Sequence, residues 1–309
     1  MANKHIDEVT GVETVGHEWD GIEELNNPLP RWWLLITLAT VIFSIGYVIV
    51  YPAFPLLHKA SDGLWGWSSR GQLAAEMDAG AAERKAGTDA IAATPLEQLV
   101  GDTKLMPLAI AGGSAAFRQN CIQCHGSGGK SSPGNGYPNL TDDDWLWGGT
   151  VKDIELTIQH GIRSPDDATT RTSLMPSFGK DGILNPGQVG DAAAYVLSLS
   201  GGTRDAAAAR GAAIFSANCA VCHGPDGKGL RQFGAPNLTD KVWLYGGGRD
   251  QVAASITRAH AGVMPAWASK LDPVTIKMLA AYVHSLGGGE NFTPAPVAAA
   301  SGTSGNTRP

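Results

Sequence analysis

The chain has 309 residues, more than one ordinary domain needs and enough for two small domains with accessory segments. Forty glycines against 7% aromatic residues describe much loop and little conventional core, as expected where bulky prosthetic groups fill an interior. A formal net charge of -6 argues against a nucleic-acid partner and is compatible with a modest, salt-screened attraction for a basic protein.

Residues 1–31 are polar and acidic, with Glu13, Glu18, Asp20, Glu23 and Glu24 ahead of Asn26-Asn27-Pro28-Leu29-Pro30, and are expected to form a solvated tail. They carry no basic n-region, so they do not open a cleavable signal peptide. Residues 32–51, from Trp32 to Tyr51, contain no charge over twenty positions, which as a helix is about 30 Å, the thickness of a bilayer's hydrocarbon core. A single membrane-spanning helix is expected there. Trp32, Trp33, Tyr47 and Tyr51 lie toward its ends as interfacial aromatics do, and Pro52 and Pro55 stop it. Arg31 on one side and Lys59 and Arg70 on the other nearly tie, so basic residues do not orient the span. Residues 52–103 read as a connector, in which Gly71 to Ala86 has the composition of a solvent-exposed helix.

The motif Cys121-Ile122-Gln123-Cys124-His125 recurs as Cys219-Ala220-Val221-Cys222-His223. The spacing C-x-x-C-H is an attachment signal for c-type haem. Thiols three apart on one helical turn share a face, each can form a thioether with a haem vinyl group, and the adjacent His ligates the iron. All four cysteines of the chain lie in these motifs. A redox dithiol needs a βαβ context that the helical surroundings do not offer. A zinc site would have to combine thiolates with a histidine whose ring points away from their face. A structural disulfide pair is the third bland reading. Two covalently attached haem c groups are therefore expected. Attachment of this kind takes place outside the bacterial cytoplasm, which puts the large C-terminal part in the periplasm, the N-terminus in the cytoplasm and a single-pass anchor in the inner membrane.

The two motifs belong to a longer repeat, covering residues 104–202 and 203–289 as two domains. At an offset of 98, Asn139-Leu140-Thr141-Asp142 falls on Asn237-Leu238-Thr239-Asp240, Trp145 on Trp243 and Gly148 on Gly246. The register then slips. Met175-Pro176 matches Met264-Pro265 at an offset of 89, and Ala194-Tyr195-Val196 matches Ala281-Tyr282-Val283 at 87, so the first copy carries about ten extra residues around Ser164 to Thr172. Each copy reads as a helix running into the haem motif, a Gly-rich loop, a capped short helix, a further helix, the Met-Pro loop and a final amphipathic helix. The final helices carry Val189, Ala193, Val196, Leu197 and Leu199 in one copy and Ile276, Leu279, Ala280, Val283 and Leu286 in the other, each ended by a Gly run.

Iron held by His on one side commonly takes Met on the other in electron-carrying cytochromes, and the thioether raises the potential. Met175 and Met264 are the candidates, since only they recur at matching places before a proline. His160, His260 and His284 have no counterpart at the aligned position of the other copy and are expected to meet solvent or haem propionates. With both axial positions filled, neither iron would offer an open site for oxygen or peroxide, which favours electron transfer over catalysis. Gly129-Lys130-Ser131 lacks the first glycine of a phosphate-binding loop. The sequons at Asn139, Asn237 and Asn291 are set aside on the bacterial context, with Thr141 or Asp142 read instead as a helix cap. Residues 290–309 are rich in Pro, Ala, Ser, Gly and Thr and read as a disordered tail.

The segment Glu18-Trp19-Asp20-Gly21-Ile22-Glu23-Glu24-Leu25-Asn26-Asn27-Pro28-Leu29-Pro30-Arg31-Trp32-Trp33, followed by one membrane helix and two C-x-x-C-H repeats, resembles the dihaem subunit III of cbb3-type cytochrome c oxidases over residues 18 to about 289. The resemblance implies a mainly α fold, a membrane anchor followed by two tandem cytochrome c domains. It also implies a subunit that takes electrons from a periplasmic donor cytochrome c or a quinol-oxidising cytochrome complex. These pass through a monohaem cytochrome c subunit toward a catalytic haem b subunit, where oxygen is reduced and protons are pumped. Carried over, Cys121 and Cys124 bind the first haem with His125 as axial ligand, Cys219, Cys222 and His223 serve the second, and Met175 and Met264 complete the irons. Pairing within each repeat is the simple expectation, and an exchange between the repeats would leave the sequence unchanged. A free-standing membrane-anchored dihaem carrier is the alternative, and a dihaem peroxidase with one displaceable ligand ranks behind it.

Overall fold

The computed structural model describes residues 4–132 and 134–291 and divides into two compact units, residues 1–83 and 84–309. The tail expected over 290–309 lies, beyond residue 291, outside the described residues.

In the first unit, strands β1 (Thr14–Trp19) and β2 (Ile22–Leu25) pair antiparallel. The solvated tail expected of this segment is thus corrected to a hairpin. Asp20 and Gly21 both take positive φ, 51° and 85°, the backbone that a two-residue Asp-Gly turn requires. Helix α1 (Arg31–Val50) follows, with no buried residue. Its hydroxyls are satisfied within the helix, Thr37 and Ser44 each donating to the carbonyl four residues back, as a lipid-facing helix demands. Tyr51 stacks on Tyr47 at 4.8 Å and meets Trp65 and Trp67 edge-on at 5.2 and 5.6 Å, forming an aromatic cluster at the helix end. Helix α2 (Ser69–Ala93), within which the units divide, is almost wholly exposed until Ile91.

The second unit is helical. After α3 (Leu96–Leu99) come α4 (Leu105–Asn120), α5 (Ile122–His125), α6 (Val151–His160), α7 (Pro186–Leu199), α8 (Ala206–Asn218), α9 (Ala220–His223), α10 (Arg249–Thr257) and α11 (Pro273–His284). The starts of the longer helices are encoded locally. Asn185 and Gln188 form a reciprocal capping box at α7 with Pro186 just inside. Asp205, Asp272 and Thr150 cap α8, α11 and α6. The short capped helix expected at Thr141 and Asp142 does not form. Asn139 and Asn237 instead accept from the backbone and hydroxyl of Thr141 and Thr239, closing turns two residues long.

Two apolar cores result, and neither follows the sequence repeat. The first joins Ile91, Leu96 and Leu99 to Phe117 of α4, Val151, Ile154 and Ile158 of α6, and Ile276, Leu279 and Val283 of α11. The second joins Phe178, Leu184 and α7 to Phe215 of α8, Leu238, and Val252 and Ile256 of α10. The helix leading into each haem motif therefore crosses the final helix of the other repeat: α4 lies on α11 and α8 on α7. Both crossings are built alike. A Cβ on Gly113 would lie 2.7 Å from that of Tyr282, and one on Gly211 would lie 2.7 Å from that of Tyr195. The missing side chains let the backbones close, which outweighs the roughly 0.5–1 kcal/mol that glycine costs inside a helix. One turn on, Phe117 packs on Tyr282 at 5.4 Å and Phe215 on Tyr195 at 5.2 Å.

Candidate functional site

Each haem motif begins where its leading helix ends. Cys121 closes α4 and Cys219 closes α8, and in each case the next turn, α5 or α9, carries the second cysteine and the histidine. Phe117 and Phe215, four residues ahead and buried, receive the amide hydrogens of Cys121 and Cys219 on their carbonyls at 2.9 and 2.8 Å. The repeated sequence thus fixes where each thiol sits relative to its core.

All four thiols are free, so no disulfide consumes them. Burial, and secondarily the neighbouring Cys124 or Cys222, pushes the Cys121 and Cys219 thiols up to about 11. Among the described residues no group of three or more His, Cys, Asp or Glu is placed to hold a metal ion.

The histidines are held identically. His125 Nδ1 lies 3.2 Å from the carbonyl of Pro138, and His223 Nδ1 lies 3.1 Å from that of Pro236. Each imidazole can donate from Nδ1 and keep Nε2 as a free lone pair, the arrangement that orients a metal-ligating histidine. Burial lowers both imidazoles below the usual range, the carbonyl contact partly opposing it. They are thus held neutral. The two prolines were not singled out in the sequence, although Pro-Asn-Leu recurs at the same offset as the motifs. Their role passes through a backbone carbonyl, which has no residue-type signature. The turns at Asn139 and Asn237 set these carbonyls, helped by Leu140 N donating to Gly129 O at 2.8 Å and Leu238 N to Gly227 O at 2.7 Å.

Both methionines are half-buried against the apolar cores. Met264 packs on the first core together with Cys121, and Met175 on the second together with Cys219. The competing histidines, His160, His260 and His284, have their own partners. His160 Nδ1 lies 2.9 Å from Asp167 and 2.7 Å from Thr169. The Thr169 hydroxyl, then His160, hold the Asp167 carboxyl down to about 2. His284 Nε2 meets the carbonyl of Glu290 at 2.9 Å, and His260 stacks on Tyr245 at 3.6 Å. A paired thiol, a neutral histidine with one nitrogen free and a thioether suit haem c with His and Met axial ligands, so the residues fit that group.

Comparison with known families agrees. A family model for the N-terminal domain of cytochrome oxidase-cbb3, FixP, matches residues 11–58. One for cytochrome c matches residues 110–200, and one for cbb3-type cytochrome c oxidase subunit III matches residues 206–283. The chain is 48% identical to a cbb3-type cytochrome c oxidase subunit FixP of Sinorhizobium medicae over 289 residues, 93% of this chain and 99% of the relative. It is 50% identical to the CcoP subunit of Cereibacter sphaeroides over 279 residues, 90% and 95% of the two chains. It is also 50% identical to the FixP subunit of Bradyrhizobium diazoefficiens over 290 residues, 93% and 99%. With its cytochrome c repeats behind an apolar anchor helix, this chain belongs to the FixP/CcoP family of cbb3-type cytochrome c oxidase subunits.

Proposed function

We propose that the chain is the dihaem electron-transfer subunit of a cbb3-type terminal oxidase. It would take electrons from a periplasmic cytochrome c or a quinol-oxidising cytochrome complex and pass them, through a monohaem cytochrome c subunit, toward the catalytic haem b subunit. Cys121 and Cys124 hold one haem c through thioethers and Cys219 and Cys222 the other. His125 and His223 would ligate the irons, with Met175 and Met264 as the second protein ligands. The bound groups supply one-electron iron couples.

The chain's own residues set the conditions for that transfer. The carbonyls of Pro138 and Pro236 fix the tautomer and ring orientation of the two histidines. Ligation by a methionine as well as a histidine would raise the potential of each haem and favour electron transfer over oxygen or peroxide chemistry. The supporting cores, with Phe117 and Phe215 fully or nearly fully buried, limit rearrangement around the centres. Helix α1 anchors the chain in the inner membrane as an uncleaved export signal, with residues 1–31 cytoplasmic and the haem-binding unit periplasmic.

The observation that carries this reading is the duplicated centre, in which a free thiol pair, a carbonyl-held histidine and a methionine recur in each apolar core. Purification in mild detergent with subunit identification and haem typing tests it. Persistent co-purification with haem b subunits is expected. Isolation as a lone functional carrier would overturn the oxidase role in favour of a free-standing dihaem cytochrome.

A further inference from the structure

We propose that Trp147 and Tyr245 are positioning residues for electron exchange between the two haem centres: each reaches from its own repeat onto the haem loop of the other, and the pair fixes the gap that an electron must cross. This rests on reading both centres as haem c in an electron-transfer subunit.

The two contacts are copies of one another. Trp145-Leu146-Trp147 falls on Trp243-Leu244-Tyr245 at the offset of 98, and Gly136 falls on Gly234 at the same offset. A Cβ on Gly136 would lie 2.8 Å from Cζ of Tyr245, and one on Gly234 would lie 2.7 Å from Cη2 of Trp147. No side chain fits under either ring, and both glycines take positive φ, 77° and 60°, a backbone that glycine adopts without steric cost. Gly136 N also donates to Leu244 O at 3.0 Å, so backbone as well as ring ties the second repeat to the first haem loop.

Each contact lies beside the machinery of a centre. Gly136 and Gly234 stand two residues before Pro138 and Pro236, whose carbonyls hold His125 and His223. Tyr137, between Gly136 and Pro138, has Cys124 beside its hydroxyl and Tyr245 within electrostatic reach. At the other end of each segment, Trp145 packs on the first core together with Cys121, and Trp243 on the second together with Cys219. A three-residue segment therefore links the surroundings of one centre to the haem loop of the other, once in each direction.

The rings are braced from outside. The chain passes between the cores twice, after Ile162 and again before Met264, and each passage supports one ring. Arg171, in the first passage, lies 5.5 Å over Trp147 and donates to Thr157 Oγ1 at 2.9 Å. His260, in the second, stacks on Tyr245 at 3.6 Å with the ring planes 6° apart. Arg163 Nε donates to Gly262 O at 2.7 Å and joins the two passages. Electron exchange between two centres falls off steeply with their separation, so a clasp that holds both haem loops sets its rate.

In the full-length protein, haem-methyl exchange NMR of the half-reduced state reads the forward and reverse rates between the two haems, taken from the part that does not change on dilution. Trp147→Ala and Tyr245→Ala should slow both rates severalfold and by the same factor, with two haems still attached. Tyr245→Phe, which keeps the ring, should recover the rates lost in Tyr245→Ala. Equal slowing separates lost positioning from a shifted potential, which alters the ratio of the two rates instead. Wild-type rates in both alanine variants, or a change in the ratio alone, overturn the proposal. A wild-type chain with fewer than two covalent haems defeats the dihaem reading rather than the clasp. Should the alanine variants fail to fold, hydrogen exchange of the unaltered protein decides. The Gly136 amide, bonded to Leu244 O, should be protected to the level of the Leu140 amide, bonded to Gly129 O, and exchange at the rate of an open loop overturns the clasp.

Discussion

On the proposed reading His125 and His223 would offer Nε2 to iron, which needs the other nitrogen occupied, and Pro138 and Pro236 do this in both copies through their carbonyls. The candidate cysteines and histidines stand out in the sequence because the attachment motif demands fixed residue types at fixed spacing, and the candidate methionines because Met-Pro recurs. The prolines do not, because any residue carries a carbonyl. A second feature at this scale is Asp144. Burial, then the nearby Asp240, Asp142 and Asp143, pushes its carboxyl up to about 6. The folded state then binds more protons than the unfolded one between about pH 4 and pH 6, so this contribution is fully present below about 4 and is lost as pH rises through 6. Asp144→Asn should stabilise the protein at pH 7 by about 1 kcal/mol, after allowance for solvent screening of a half-exposed group. Melting curves at pH 7 and pH 4 check it: the gain should vanish at the lower pH, and an equal gain at both would contradict the assignment.

At the scale of elements, the helices followed from apolar spacing and from caps such as Asn185 with Gln188 and Asp272 with Thr275. The β1–β2 hairpin did not, because its charged residues read as tail, although Asp20-Gly21 carried the turn signal. Which helix crosses which also escaped the sequence. The two final helices carry equivalent apolar faces, and nothing local distinguishes α4 on α11 from α4 on α7. The crossings themselves make sharp predictions. At Gly113 a new side chain meets the backbone of Met278 and the Cβ of Tyr282, which cannot step aside without moving a helix. Gly113→Val should cost about 1–3 kcal/mol, the range for overpacking a tight contact, measured by chemical denaturation. An unchanged midpoint would contradict the close crossing. Ending the chain after Leu271 removes α11 and should damage the centre at Cys121 while sparing the α7–α8 core. Reduced-minus-oxidised spectra with proteolytic mapping would show whether the second centre is instead the one lost.

For the whole molecule, the interleaving makes the haem-binding unit one cooperative object rather than two beads. Its division from the N-terminal unit lies in an exposed helix, whereas its two cores share both passages around Ile162 and Met264. On the proposed topology, α1 delivers this unit to the compartment where haem is attached. A chain lacking residues 32–51 should accumulate without covalent haem, which haem staining of denaturing gels checks; full haem attachment would show that the anchor is not the export signal. The most direct test of the whole account is mass analysis of tryptic peptides from the denatured protein. Residues 119–130 and 211–228 each contain one motif between cleavable basic residues. The account predicts that each peptide carries one covalently bound haem, and an unmodified peptide at either position would contradict it.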